Sequence, residues 1–435
     1  MDLQELKHFY QACNDEPLSP TDPRNVNIDQ LPGQVRGHSW MERLARRVEL
    51  ASSPVQIFIT GLPGSGKSTE LRRLEQRLTR FDRTSLLVVR IDAEEALDLT
   101  SAIDIPDIFM VMLKAAEEAV LVAEGRDKSE ALRDGYMARL WNWLTQTDVA
   151  LQKAPFGIAQ VTGLDIEMRT RKNLRERVRE TIANHLSTFL KDARTSLSEL
   201  EVRARATNSY TGMVVIFDSL EKLKGTSTNW RLVLESAEQV FGGGAPHLKL
   251  PVHSIFTVPA ALTTRIGVNV EFIPMIKLRD RRGKRSDDGF AAMRELIRRR
   301  LPDEILAQVL GQPECERRVE EIIERSGGYP REVVHMLRGL LEIPHFPVRL
   351  DDLERAHHEV RERFRAIVTR EDFTWLASVG NDQTLTVENE EHRPAVDRAL
   401  RNNVVLRYCN NDIWYDLHPA VREIPEIKAQ LEPRP

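Results

Sequence analysis

The stretch Val55-Gln56-Ile57-Phe58-Ile59-Thr60-Gly61-Leu62-Pro63-Gly64-Ser65-Gly66-Lys67-Ser68-Thr69 decides the fold. An apolar, β-branched run over 55–59 leads into a glycine-rich loop, and a helical pattern follows from Thr69 to Leu78. Glycines without side chains let successive backbone N–H groups curl around an anion at the positive end of a helix, which is the phosphate loop of nucleotide-binding proteins. In that arrangement Gly61, Pro63, Gly64, Ser65, Gly66 and Thr69 form the cradle, Lys67 bridges the terminal phosphates and Ser68 ligates Mg²⁺. The expected ligand is ATP or ADP with Mg²⁺. A glycine-rich turn without ligand is the competing reading.

Working outward, a helix is expected over 39–51, with Met41, Leu44, Ala45, Val48 and Leu50 on one face before Pro54 resets the chain. Residues 85–92 form a second apolar run, too short and β-branched for a helix. From 105 to about 206 the pattern is helical, with helices expected over 107–121, 128–146 and 169–206. This large insertion serves regulation, partner contact or simple cover for the sheet. Trp141 and Trp143 lie two residues apart and face different sides of a helix, which favours core packing over a stacking platform for bases.

The second decisive stretch is Met213-Val214-Val215-Ile216-Phe217-Asp218-Ser219-Leu220-Glu221. An apolar strand ending in an acid places a carboxylate at the sheet edge where Mg²⁺ is directed, so Asp218 is read as the Walker B partner of the phosphate loop. Water activation needs a further carboxylate. Ser219 follows the acid directly, and Glu221 is the next candidate, against a surface residue at the start of a turn. Strands are also expected over 253–258 and 271–278, with Thr257 and Arg265 as candidate phosphate sensors, against ordinary capping and surface roles. The class is therefore α/β: a mostly parallel sheet flanked by helices. Residues 279–300 hold nine basic and four acidic residues; a solvated charged loop, an arginine finger and a DNA phosphate contact are the readings that compete there.

The chain has 435 residues, a net charge of −4 and 41% hydrophobic residues, enough for two or three domains with real cores. No overall field favours nucleic acid or an anionic membrane. Its three cysteines, Cys13, Cys315 and Cys409, lack metal-ligand spacing, and the N-terminus has neither a basic region nor an apolar core, which points to the cytoplasm. No run approaches the ~18–20 apolar residues of a membrane span.

These residues resemble the STAND branch of AAA+-like P-loop ATPases, related to origin-recognition ATPases and to immune-receptor nucleotide switches. The phosphate loop and the acid-ended strand carry most of the resemblance. Arg36-Gly37 is similar to the family's motif beside the adenine, in reversed order, and Glu221 stands where the STAND version has its second acid. Ser326-Gly327-Gly328-Tyr329-Pro330-Arg331 resembles the Gly-x-Pro motif whose proline packs on the base; read alone, it is a helix–helix turn. Residues 414–419 are similar to a Met-His-Asp segment that touches ADP in resting switches; His418 matches, and Pro419 stands in place of the Asp.

The tail reads as helices followed by a two-stranded wing, with Asn410-Asn411-Asp412 as the connecting turn, the pattern of a winged helix. The implied organisation is an irregular leader over 1–35, an ATPase domain over 36–285 with its insertion at about 105–207, a helical lid over 286–346 and a winged-helix domain over 347–435. Order in the leader would come only from docking. The resemblance implies a slowly hydrolysing ATP switch in signalling or prokaryotic defence, with a partner protein as sensor or effector and a nucleotide-dependent homo-oligomer compatible with it. Two other readings stay open: a DNA-binding ATPase of initiator or transposition type, and a scaffold that holds nucleotide without hydrolysis.

Overall fold

A computed structural model describes residues 1–80, 85–131, 135–148, 151, 172–387, 390–410 and 412–432. Parts of the expected helices over 128–146 and 169–206, the stretch between them and Asn411 of the expected turn lie outside these residues. The chain divides into two compact units: residues 43–60 with 74–271, and residues 1–42 with 61–73 and 272–435.

The sheet unit is built on five strands, β1 (Gln56–Gly61), β2 (Leu86–Asp92), β3 (Gly212–Asp218), β4 (His253–Thr257) and β5 (Val270–Ile273), in the order β2-β3-β4-β1-β5. Pairing is parallel between β1 and β4, β3 and β4, and β2 and β3. Every residue of β3 is buried, which is why it reads as an unbroken apolar run rather than an alternating one. The phosphate loop follows β1 and Asp218 ends β3.

The insertion holds α-helices at Ile105–Ala123, Tyr136–Thr147, Lys172–Ala183 and Leu186–Ala206. The first is started by a capping box: the Asp104 carboxylate accepts from the Ile105 N–H at 2.7 Å, and the Asp104 N–H donates to Asp107 at 2.8 Å. Phe109, Leu113, Leu140, Val178 and Leu197 bury against Val89, Met213 and Phe217 in one cluster, so the insertion shares the sheet's core. Trp141 lies within that cluster and Trp143 packs against it, edge-on to His185.

The other unit has its own core, formed by Phe290, Met293, Ile323, Val333, Leu337 and their neighbours. Its helices include Asp287–Arg298, Cys315–Ser326, Pro330–Leu341, Leu350–Ile367, Phe373–Asp382 and Arg393–Arg401. They are followed by the antiparallel pair β6 (Val405–Cys409) and β7 (Ile413–Leu417).

Three expectations are corrected. The leader is not wholly irregular: Leu3–Ala12 is an α-helix held by a capping box between Asp2 and Glu5, and Phe9 and Tyr10 pack on the second core. The strand expected over 271–278 is Val270–Ile273, because the chain leaves the sheet before Pro274. The long charged helix is two helices, ending at Ala183 and restarting at Leu186.

Candidate phosphate-loop site

The loop turns through positive φ at Gly64 (+78°) and Gly66 (+94°), backbone conformations that disfavour any side chain. The first turn of the helix Lys67–Leu78 then presents its N–H groups at the loop's end. Lys67 is buried, and its Nζ donates to the Gly61 carbonyl at 2.8 Å and the Leu62 carbonyl at 3.2 Å. A Cβ built on Gly66 would find Arg36 Nη2 at 3.7 Å as its nearest neighbour, which leaves room beside the backbone. Glycines, a helix N-terminus and a pre-placed ammonium fit the phosphates of a nucleotide.

Arg36 sits against the loop backbone rather than at its rim. Its Nη2 donates to the Ser65 carbonyl at 2.6 Å and its Nη1 lies 3.3 Å from Glu70, with both side chains buried. Arg73 reaches the other Glu70 oxygen at 2.7 Å. Glu70 therefore balances two cations beneath the loop, a role that only its place in the first turn after Ser68-Thr69 hints at in the sequence. Glu70→Ala is expected to destabilise the fold by about 3–5 kcal/mol, since it strands buried guanidinium groups, and denaturant unfolding measures the loss.

The leader docks on this helix. The Leu18 N–H donates to the Thr69 hydroxyl at 3.2 Å, and the Arg72 and Arg73 guanidiniums donate to the Pro17 and Val26 carbonyls.

Residues from the second half of the chain meet the loop in the same unit. A Cβ on Gly64 would lie 2.6 Å from Tyr329 Cε2 and 2.7 Å from Arg331 Cβ, so these two residues rest directly on the loop. Asn403 Nδ2 donates to the Pro63 carbonyl at 3.0 Å. Burial pushes the Tyr329 hydroxyl up to about 12, so it stays protonated. Sequence reading missed Tyr329 and Asn403. The first adjoins Pro330, which opens its helix at the first position; the second adopts a left-handed φ of +57° after the helix Arg393–Arg401.

His418 is fully buried, stacked on Phe364 at 4.3 Å and edge-on to Tyr329 at 6.4 Å. Its Nδ1 accepts from the Ala420 N–H at 3.2 Å, which puts the proton on Nε2, and Nε2 has no hydrogen-bond partner among the described residues. Burial first, and then Arg363, lowers its pKa from 6.5 to about 3. Because the folded value lies below the unfolded one, its contribution is present above pH 6.5 and lost on acidification towards pH 3. Each pH unit lost in that window costs up to ~1.4 kcal/mol, and His418→Phe is expected to flatten this slope in unfolding titrations.

In the sheet unit, Asp218 is buried at the end of β3, its Oδ1 accepting from the Ser219 N–H at 2.7 Å. Ser219 has a left-handed φ of +65° and turns the chain into the 3₁₀ turn Leu220–Lys222, which carries Glu221. The Thr257 hydroxyl is committed to this turn: it accepts from the Leu220 N–H at 2.9 Å and donates to the Phe217 carbonyl at 3.3 Å. Arg265 pairs with Glu238 at 2.9 Å.

Five of the nine basic residues over 279–300 pair with neighbouring acids. Arg279 meets Glu324, Arg285 and Arg294 share Glu320 at 2.9 and 3.2 Å, and Arg298 meets Asp303 at 2.8 Å. The pairing weakens the field such a stretch could offer a phosphate, and residues 287–298 are helical rather than part of a charged loop.

No family model matches the chain, and no curated protein matches it. Among solved structures, the chain is similar to a Walker-type ATPase of Pyrococcus abyssi at 14% identity, covering 92% of this chain and 98% of that one with a TM-score of 0.40. It is also similar to the Aeropyrum pernix ORC1 protein in complex with DNA, at 13% identity, 90% and 93% coverage and a TM-score of 0.33. Drosophila ORC bound to DNA matches at 12% identity, with 98% and 91% coverage and a TM-score of 0.37. No helix among the described residues is long and apolar enough to cross a membrane. With β1 running into the phosphate loop, β3 ending in Asp218 and the strand order β2-β3-β4-β1-β5, the chain is an α/β protein built around a P-loop.

Proposed function

We propose that the protein is an ATP-binding, slowly hydrolysing molecular switch of the STAND/AAA+-like kind, in which the nucleotide sets how the C-terminal half engages the phosphate loop. One observation carries this reading: Tyr329 and Arg331 rest on Gly64 while Asn403 bonds to Pro63, so two separate C-terminal segments hold the loop that would receive the phosphates. A nucleotide that reshapes the loop changes those contacts, and a partner protein reads the difference.

In this reading residues 286–346 act as the lid and 347–435 as a winged helix. Lys67 bridges the terminal phosphates, Ser68 and Asp218 hold Mg²⁺, and Glu221 orients the attacking water. Pro330 packs near the base. Arg36 props the loop from below instead of touching adenine. The buried His418 Nε2–H is a donor that a nucleotide oxygen would satisfy, relieving about 1–3 kcal/mol of desolvation.

The test is steady-state ATP turnover by the purified chain with and without duplex DNA at near-physiological salt. Slow turnover indifferent to DNA is expected. Strong stimulation by DNA would instead favour an initiator-type ATPase, and no turnover with tight nucleotide retention would favour a non-hydrolysing scaffold.

A further inference from the structure

The sheet unit contains a cavity of ≈ 290 Å³ between the end of β2 and the helical insertion, lined by no residue assigned above to the nucleotide. That volume is near the lower end of small-molecule sites, about 300–1,000 Å³. Its apolar wall is formed by Leu97, Ile103, Met110, Val111 and Met137.

Its charged groups are unequal in how well they are satisfied. Arg179 is fixed, donating to Asp107 from Nε at 3.0 Å and to the Ala102 carbonyl at 2.8 Å. Asp98 is held by Thr100, whose hydroxyl donates at 2.6 Å and whose N–H donates at 3.0 Å, and by Ser101. Arg175 differs. Its side chain is only 11% exposed, its Nε has no acceptor among the described residues, and its acidic neighbour Asp98 stands at 3.6 Å, beyond hydrogen-bond reach. A nearly buried guanidinium whose Nε has no acceptor among the described residues, beside an apolar wall, is suited to a planar anion bound by two parallel N–H donors.

The anion's charge is limited by the surroundings. Asp92, Glu95, Asp98, Asp107 and Glu118 line the cavity against Arg90, Lys114, Arg175 and Arg179. Acids outnumber bases by one, so the surroundings repel a dianionic phosphate about twice as strongly as a single carboxylate.

The floor of the cavity leads to the acid of β3. Asp92 is the register partner of Asp218, and Arg90, two residues earlier on β2, places Nη1 3.7 Å from Asp218 Oδ2. We propose that this cavity is a regulatory site for a small organic carboxylate with an apolar body, clasped by Arg175 and communicated to Asp218 through Arg90. The regulatory half rests on the switch reading above; the binding half does not.

Calorimetric titration with hexanoate, norleucine and hexan-1-ol tests the binding half. Hexanoate is expected to bind and hexan-1-ol not to; norleucine binding as well would mark the natural ligand as amino-acid-like, and its failure would mark it as a simple acid. Arg175→Met, with its fold checked by thermal unfolding, should weaken hexanoate by about ten-fold or more. Arg175→Lys should recover part of the loss. Absence of hexanoate and norleucine binding, or binding unchanged in Arg175→Met, overturns the site.

Turnover of ATP with saturating hexanoate tests the regulatory half. A several-fold change in the unmodified protein, lost in Arg90→Gln, is expected; an unchanged rate overturns the link to Asp218. If the unmodified protein hydrolyses no ATP while hexanoate still binds in an Arg175-dependent way, it is the hydrolytic switch that fails, together with its regulation, and the carboxylate site stands.

Discussion

Lys67→Ala is expected to all but abolish ATP binding while leaving the fold intact. The Lys67 ammonium is held by the Gly61 and Leu62 carbonyls at 2.8 and 3.2 Å, at the start of the helix that follows the loop. It is therefore in place before any nucleotide arrives. Transfer of that ammonium from neutral carbonyls to the terminal phosphates forms charge-assisted bonds, each contributing about 1.5–3 kcal/mol. Removing it should raise the dissociation constant of ATP on the order of 100-fold. Fluorescent nucleotide titration of the variant, beside its thermal unfolding curve, measures this. Binding within a few-fold of the unmodified protein would mean that the loop does not hold phosphates as described.

The second large effect separates binding from chemistry. Glu221→Gln is expected to bind ATP normally and to turn over about 10²-fold or more slowly, accumulating the ATP-bound state. The residue is carried on the 3₁₀ turn Leu220–Lys222, whose start is fixed by the bond from the Leu220 N–H to Thr257. Its position relative to β3 is therefore set by backbone geometry. Gln keeps the shape and loses the base, so single-turnover hydrolysis with matched ATP affinities distinguishes a catalytic carboxylate from a surface one. Normal turnover in Glu221→Gln would place the base elsewhere.

The strands and the loop were legible because their signals are local. β2 and β3 are short and mostly apolar, β1 and β4 carry short apolar stretches, and the phosphate loop's glycines and lysine sit in fixed spacing between a strand and a helix. The place of Asp218 was legible for the same reason: it is the acid that ends a fully buried strand. Other features depend on contacts between distant segments. The prolines at 17, 20, 23 and 32 announce turns, and they conceal that the same leader begins with a capped helix and donates from Leu18 to Thr69. Arg36 carries a charge that sequence similarity assigns to adenine; only tertiary structure shows it bonded to the Ser65 carbonyl and paired with Glu70. Thr257 stands in the sequence as a candidate phosphate sensor or an ordinary capping residue, and only the fold shows its hydroxyl bonded to Phe217 and Leu220. Anion binding was one of three readings open for the basic stretch over 279–300, and only the fold shows the acids at 316, 320 and 324 alongside it.

The central claim is that nucleotide at the phosphate loop alters how the C-terminal half holds it. Hydrogen exchange of backbone amides, compared between the nucleotide-free protein and the protein with ATP and Mg²⁺, tests this most directly. Changed protection is predicted at the phosphate loop and also at residues 326–334 and 399–406, which carry Tyr329, Arg331 and Asn403. Protection that changes at the loop alone, with both C-terminal segments unaltered, would contradict the account.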